Sequence, residues 1–246
     1  MQDKKQESSF FNNAASSDSW DWMDKYCQDM VFKLFLGLVK PKQNEYILDM
    51  GCGCGSELYL KLVNKGLTVN GIDISKESIK IAKDKYPASI FFEGDIENTQ
   101  FKDDSFDIIM LSTVLHHFPD INNVLKESYR ILRKGGRIYA YDPNYYNPFM
   151  WVYRGEQSPL RSRKNYSVNE RLLKKYELQK GLAEAKYSNI KVFAKSGFTY
   201  SEGYFKRLLP FPLYKVVYFY NVIEGLLVLT KMEENIGSFL ISYAEK

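Results

Sequence analysis

Short apolar segments alternate with amphipathic helical segments between Tyr46 and Tyr141, and this alternation constrains the fold more than any other feature of the sequence. Strands that alternate with helices of about 10 to 15 residues form a parallel sheet joined by right-handed crossovers. The pattern therefore predicts an α/β fold, and such sheets bind ligands beyond the carboxyl ends of their strands. The strands of this region are expected at 46–49, 67–73, 90–92, 106–111 and 136–141.

The segment before this region has a different character. Residues 1–18 are rich in Ser, Asn, Gln, Asp and Lys, and we predict a disordered tail there. An apolar stripe predicts a helix over Trp20–Val39, which Pro41 ends. The rest of the chain is expected to form one domain, 19–246, divided into a core at 44–144 and a lid with C-terminal strands at 145–246.

After Asn144 the regular alternation ends. Two aromatic segments without clear periodicity, Tyr145–Tyr166 and Tyr200–Tyr220, are expected to cover the cleft at the end of the sheet. A cover of this composition suits an apolar or aromatic small molecule. The remaining predicted elements are helices at 173–185 and 213–229 and strands at 189–194 and 238–244.

Charge and cysteine content argue against several classes of function. Lys and Arg total 34 against 30 for Asp and Glu, and the basic residues are spread along the chain, so we expect no nucleic-acid partner. Cys52 and Cys54 are too closely spaced for a zinc site, and two histidines cannot complete one, so no metal is predicted. The odd count of three cysteines favours a reduced, cytoplasmic setting.

The most apolar stretch, Leu208–Thr230, is interrupted by Lys215, Asn221 and Glu224. A helix that spans a membrane needs a run of about 18 apolar residues with few or no charges. We therefore expect no stable membrane insertion, and we leave a homodimer open as the protein partner.

The glycine-rich segment Asp49–Gly55 stands directly after a predicted strand and before a predicted helix. Gly51 and Gly53 lack a Cβ, so the backbone can turn tightly and a ligand can lie against it. The following helix would point its free N–H groups at that ligand. A dinucleotide-binding loop would require a third glycine at position 56, which is Ser56. Asp49 suits the ammonium end of a ligand better than a pyrophosphate.

Two further carboxylates follow predicted strands. Asp73 ends the second strand, where a carboxylate can accept hydrogen bonds from both hydroxyl groups of a ribose. Asp95 follows the third strand and could accept from an adenine amino group, while Ile96 covers the ring. The predicted cofactor-binding residues are Asp49, Gly51, Cys52, Gly53, Asp73, Ile74, Asp95, Ile96 and Ser112.

The segment Phe106–Asp120 contains the only two histidines of the chain, directly after an apolar strand. A histidine at the mouth of a ligand cleft can serve as a general base, because imidazole exchanges protons near neutral pH. We predict His117 as the catalytic residue and keep His116 as the alternative.

Together these segments resemble the class I S-adenosylmethionine-dependent methyltransferases, in particular the small-molecule branch that includes ubiquinone-type O-methyltransferases. Asp49–Gly55 is similar to the first motif of that family, Asp73 to its ribose carboxylate and Asp95–Ile96 to its adenine contact. Leu115–Asp120 and Leu132–Gly136 are similar to the elements that follow strand four and precede strand five. About 100 residues carry the resemblance.

The resemblance implies a Rossmann-like, seven-stranded, mostly parallel sheet with helices on both faces, an N-terminal helix and a lid or insert after strand five. It makes 238–244 an inserted antiparallel strand and S-adenosylmethionine the cofactor. The expected reaction is methyl transfer to an O or N atom of a small molecule of natural-product, quinone-like or glycan-pathway type, with carbon acceptors left open. The alternatives are a non-catalytic S-adenosylmethionine-binding protein and a nicotinamide-dependent oxidoreductase.

Overall fold

A computed structural model describes residues 3–15, 23–55, 57–159, 161, 167–198, 212 and 215–246. Trp20, Ser56, the end of the first predicted covering segment and most of the second therefore lie outside the described residues. Seven strands form one sheet, and they are β1 (Tyr46–Met50), β2 (Thr68–Asp73), β3 (Phe91–Glu93), β4 (Phe106–Ser112), β5 (Leu132–Pro143), β6 (Ser188–Lys195) and β7 (Phe239–Glu245).

The described helices precede, connect and follow these strands. They are α1 (Lys4–Ala15), α2 (Lys25–Val39), α3 (Glu57–Asn64), α4 (Lys76–Lys85), α5 (Asn122–Ile131), α6 (Pro148–Arg154), α7 (Lys175–Glu184), α8 (Val216–Leu227) and α9 (Glu233–Ile236).

The strand order is β3-β2-β1-β4-β5-β7-β6. Strands β1 to β5 pair in parallel, whereas β7 is antiparallel to both β5 and β6. The predicted seven-stranded sheet with an inserted antiparallel strand is thus confirmed. The strand order reverses between β1 and β4, so the expected ligand site lies beyond the carboxyl ends of these two strands.

Helices cover both faces of the sheet, and neighbouring residues of each strand alternate between two apolar cores. Ile47 of β1 packs in the core that also contains Phe35 of α2 and Leu62 of α3. Its neighbour Leu48 packs in the opposite core, with Leu125 of α5. This alternation follows from the two-residue period of a strand, and it explains why the central strands are apolar throughout.

Local capping signals set the ends of two helices as the sequence predicts. The Ser75 side chain accepts a hydrogen bond from the Ser78 N–H at 3.1 Å and caps α4. Helix α2 ends at Lys40, which adopts a left-handed conformation directly before Pro41.

The prediction of a disordered tail over 1–18 is wrong for Lys4–Ala15, which forms helix α1. The Asp3 side chain accepts a hydrogen bond from the Gln6 N–H at 3.0 Å and stabilises the start of this helix. Helix α1 has no apolar stripe in its sequence. In the structure Glu7 and Ala15 are its buried residues, and Ser8 and Asn12 form hydrogen bonds with residues 74 and 75. Composition alone therefore indicated disorder.

Strand β5 is longer at both ends than predicted, and an insert with helix α6 follows it. Among the described residues, no helix is long and apolar enough to cross a membrane.

Candidate active site

A cavity of about 490 Å³ opens beyond the carboxyl ends of β1, β2 and β4. This volume lies in the usual range of small-molecule sites. The cavity brings together all ten residues that the sequence assigned to catalysis or cofactor binding, namely Asp49, Gly51, Cys52, Gly53, Asp73, Ile74, Asp95, Ile96, Ser112 and His117. Their convergence follows from the parallel strands, which deliver successive loops to one edge of the sheet.

Asp49 lies in the floor of this cavity and is fully buried. Neither of its carboxylate oxygens has a hydrogen-bond partner among the residues that the structure describes. Burial, together with the nearby charge of Asp73, raises the pKa of Asp49 to about 8. A buried carboxylate without partners is costly, so its position at a ligand cavity indicates that a cationic group of a ligand completes it.

Asp73 connects the end of β2 to the glycine-rich loop. Its carboxylate accepts hydrogen bonds from the Gly53 N–H and the Ser75 N–H, each at 2.8 Å. Burial raises its pKa, and these two hydrogen bonds oppose that effect. A carboxylate offers about four acceptor positions, so Asp73 can hold the loop and still accept from ligand hydroxyl groups.

Gly51 and Gly53 both have positive φ angles, but they serve different purposes. A Cβ on Gly51 would lie 2.3 Å from Val114 Cγ2, so this glycine allows two loops to pack together. A Cβ on Gly53 would meet nothing within 4 Å. The expectation that both glycines make room for the ligand therefore fits Gly53, whereas Gly51 is required by protein packing.

Cys52 lines the cavity and also belongs to an apolar core. A Cβ on Gly71 would lie 2.6 Å from Cys52 Sγ, which places the thiol against β2. Burial raises the pKa of Cys52 well above its ordinary value, so the group remains a thiol.

Asp95 and Ile96 line the cavity as predicted, but Asp95 has an additional partner. Lys4 of α1 forms ion pairs with Asp95 and, at 2.7 Å, with Glu97. The remaining Asp95 oxygen accepts from the Glu97 N–H at 2.9 Å. The proposed adenine contact is thus also an attachment point for α1.

The two histidines lie in a 3-10 turn, Leu115–His117, and have different surroundings. His116 is buried, and its Nδ1 lies 2.8 Å from Asp142 Oδ1. Burial lowers the pKa of His116 and raises that of Asp142. His117 lines the cavity, whereas His116 does not. This arrangement favours His117 over His116 as the residue that could meet a ligand.

The sequence analysis missed the roof of the cavity. Glu7, Phe11 and Ala15 of α1 line it, together with Met23 and Gln28. The single available signal was the spacing of Asp3 and Gln6, which is typical of a helix start. By contrast, the cavity lining includes no described residue of the predicted covering segments at 145–166 and 200–220.

A potential set of metal ligands lies beside the cavity, with atoms of His116, His117 and Glu170 within 4.8 Å of one another. Arg154 already donates a hydrogen bond to Glu170 at 2.9 Å, and its positive charge would oppose a bound cation. The absence of a metal stays a prediction.

Comparison with known proteins agrees with this geometry. Residues 48–140, which include β2 to β4 and most of β1 and β5, match the family described as methyltransferase domain. The central part of the chain is thus similar to a methyltransferase domain family.

Curated relatives of this chain are named as methyltransferases of different small molecules. Demethylmenaquinone methyltransferase of Chlorobaculum parvum is 31% identical over 121 residues, which are 49% of this chain and 50% of that protein. Human arsenite methyltransferase is 35% identical over 124 residues, which are 43% of this chain and 33% of that protein. The chain thus spans half or less of the length of these relatives.

Solved structures share the fold over nearly the whole chain. A geranyl diphosphate C-methyltransferase from Streptomyces coelicolor, in complex with Mg²⁺, geranyl diphosphate and S-adenosylhomocysteine, has a TM-score of 0.67 and 14% identity, covering 98% of this chain and 97% of that chain. Phosphoethanolamine N-methyltransferase 2 of Haemonchus contortus, in complex with S-adenosylmethionine, has a TM-score of 0.63 and 15% identity, covering 98% and 57%.

Proposed function

We propose that this protein binds S-adenosylmethionine and transfers its methyl group to an O or N atom of a small apolar or aromatic molecule. The cofactor supplies an activated methyl group. The protein's contribution is to align the two reactants in line and to exclude water from the reacting atoms.

The observation that carries this proposal is the unpartnered carboxylate of Asp49 in a cavity rich in acidic groups. The described lining of the cavity contains four acidic residues, Glu7, Asp49, Asp73 and Asp95, and one lysine, Lys85. An acidic cavity favours a ligand that carries a sulfonium and an ammonium group and disfavours a pyrophosphate. The same charge balance argues against a nicotinamide dinucleotide.

Apolar side chains in the cavity lining support an apolar or aromatic acceptor. Phe11 packs edge-on against the His117 ring, with 5.1 Å between ring centroids. Val114 and Phe118 also line the cavity. The relatives named above have both inorganic and organic acceptors, so their names do not select one atom or one compound for this chain.

His117 is our candidate for the general base. If the acceptor is a hydroxyl group, its proton must leave as the methyl group arrives, and an imidazole at the cavity can take it. An amine acceptor can lose its proton to water, in which case alignment alone would account for catalysis.

Calorimetric titration with S-adenosylmethionine and with oxidised nicotinamide dinucleotide tests the cofactor. We expect binding of the first and not of the second, and the reverse result would overturn the proposal. The acceptor class is tested by incubating the protein with S-adenosylmethionine and a panel of phenols, quinols, aliphatic alcohols and amines. Mass spectrometry would then detect products that have gained one CH₂.

Asp73→Ala is a suitable negative control for that panel, because it removes a proposed cofactor contact. Cofactor binding without any methylated product across the panel would favour the non-catalytic alternative.

A further inference from the structure

Helix α1 is anchored over the cavity by contacts at several points along its length. Ser8 Oγ donates to the Ile74 carbonyl at 3.2 Å, and Asn12 Oδ1 accepts from the Ser75 hydroxyl at 2.9 Å. Lys4 holds the first turn through its ion pairs with Asp95 and Glu97. These contacts fix the rotation of α1, and with it the direction of the Glu7 side chain.

Glu7 is the buried charged residue of this helix, with an exposed fraction of 2%. Its Oε1 atom lies at an ion-pair distance of 2.9 Å from Nδ1 of His117, while the hydrogen bond at that nitrogen is to Ser167 Oγ, also at 2.9 Å. Asn169 donates a hydrogen bond to Glu7 Oε2 at 2.6 Å. A long acidic side chain is rarely buried unless it has partners, and here the partners lead to the candidate base.

We propose that Glu7 is a positioning residue for His117, which holds the ring through Nδ1 and stabilises its protonated form during methyl transfer. The proposal deepens the function proposed above and rests on it. In the reaction, the acceptor oxygen forms a bond to the methyl carbon, and the electrons of the broken carbon–sulfur bond remain on sulfur. The acceptor proton passes to Nε2 of His117.

The carboxylate of Glu7 is suited to this role because it remains ionised in spite of its position. Burial acts to raise the pKa of Glu7, but contacts with His117, Ser167 and Asn169 outweigh burial, and the pKa is lowered. A fixed negative charge beside Nδ1 favours the imidazolium form, as the carboxylate does in hydrolase triads.

The other charged or titratable groups around His117 come from three elements. Asp73 at the end of β2 interacts with it electrostatically. His116 precedes it, with ring centroids 4.1 Å apart. Glu170 lies close by, but Arg154 neutralises it. Among the described residues, Glu7 is therefore the anionic side chain that forms an ion-pair contact with His117.

Glu7→Gln tests the proposal, because it removes the charge and keeps the size of the side chain. The chain has two histidines, so NMR of ring-labelled histidine can follow His117 directly, with His117→Ala providing the assignment. We expect the NMR signal of His117 Nδ1, measured at one fixed pH, to change in Glu7→Gln, because the carboxylate lies 2.9 Å from that nitrogen. Ser9→Ala is the matched control, since Ser9 is an exposed residue of α1, and its His117 signal should equal that of the original chain.

Turnover on an acceptor identified by the panel provides the second measurement. Glu7→Gln should lower kcat about tenfold and leave the KM for S-adenosylmethionine unchanged. Glu7→Asp, which restores the charge, should recover part of kcat. An unchanged NMR signal of His117 Nδ1 in Glu7→Gln would overturn the proposal.

The two proposals fail in different ways. If the NMR signal changes but no acceptor is methylated, the function proposed above is wrong, and the catalytic purpose of Glu7 with it. If methylation occurs and Glu7→Gln has the kcat of the original chain, the positioning role alone is wrong.

Discussion

Asp49 and Asp73 end adjacent parallel strands, and their carboxylates share one cavity in which the charge of Asp73 adds to burial in raising the pKa of Asp49 to about 8. Asp49 therefore carries a proton at pH 7 when the cavity contains no cationic ligand. Asp73 has two backbone N–H donors, whereas Asp49 has no partner among the described residues, so Asp49 is the carboxylate that a ligand would change most.

Binding of S-adenosylmethionine at pH 7 should release about one proton, because its ammonium group stabilises the ionised form of Asp49. Calorimetry in buffers of different ionisation enthalpy measures this release. The release should be absent in Asp49→Asn at the same pH. A cofactor that binds at pH 7 without proton release would place its ammonium group elsewhere.

Asp49 should also make the protein without cofactor less stable at alkaline pH. Its pKa when folded lies above the ordinary value of 3.8, so the folded state holds the extra proton and loses stability as pH rises from about 4 through 8. Asp49→Asn should therefore raise the melting temperature more at pH 9 than at pH 5. Equal changes at the two pH values would show that Asp49 is ionised or solvated in both states.

Asp73→Ala should abolish the preference for a ribose with both hydroxyl groups. Two charge-assisted hydrogen bonds of about 1.5 kcal/mol each correspond to about a 100-fold preference for adenosine over 2′,3′-dideoxyadenosine. Because Asp73 also holds the glycine-rich loop, the variant should bind both nucleosides weakly. The ratio of the two affinities isolates the ribose contact, and a preference that survives the substitution would assign the hydroxyl groups to another residue.

Gly53→Ala should weaken cofactor binding more than its effect on stability explains. A left-handed conformation costs an alanine roughly 1–2 kcal/mol, and Gly66 has a comparable positive φ with equally open surroundings. Gly66→Ala is thus a control for backbone strain. Both variants should unfold at similar temperatures, and only Gly53→Ala should show reduced affinity for S-adenosylmethionine. Equal affinities would mean that the ligand does not lie against Gly53.

His117→Ala should lower turnover about 10²- to 10⁴-fold on a hydroxyl acceptor and leave the affinity for S-adenosylmethionine nearly unchanged. Rates with saturating acceptor and cofactor separate these two effects. Turnover equal to that of the original chain would remove the assignment of His117 as base and favour an amine acceptor.

The central part of the fold could be predicted from the sequence because its signals are local. The strand, the glycines and the capping residue Ser75 follow one another within single βα units, and parallel strands must deliver their loops to one edge. The ten predicted residues therefore line one cavity, although the sequence contains no distance between them, and their role in cofactor binding stays a prediction.

The roof could not be predicted in the same way. Glu7 is recognisable as part of a site only through its contacts with His117 and Asn169, which are far from it in sequence. Nor could the sequence distinguish Gly51 from Gly53, because the difference depends on where Val114 of another loop lies. The choice between His116 and His117 likewise depends on Asp142, at the end of a different strand.

A chain shortened to begin at residue 23 would keep α2, the glycine-rich loop and both histidines, and yet lose Glu7 with the whole of α1. Its cavity would become an open groove that water enters from above. Such a fragment would separate recognition of the adenosine half of the cofactor, which the strand ends provide, from protection of the reacting atoms. The region of sequence similarity, residues 48–140, is therefore shorter than the part of the chain that lines the cavity, which begins at Glu7.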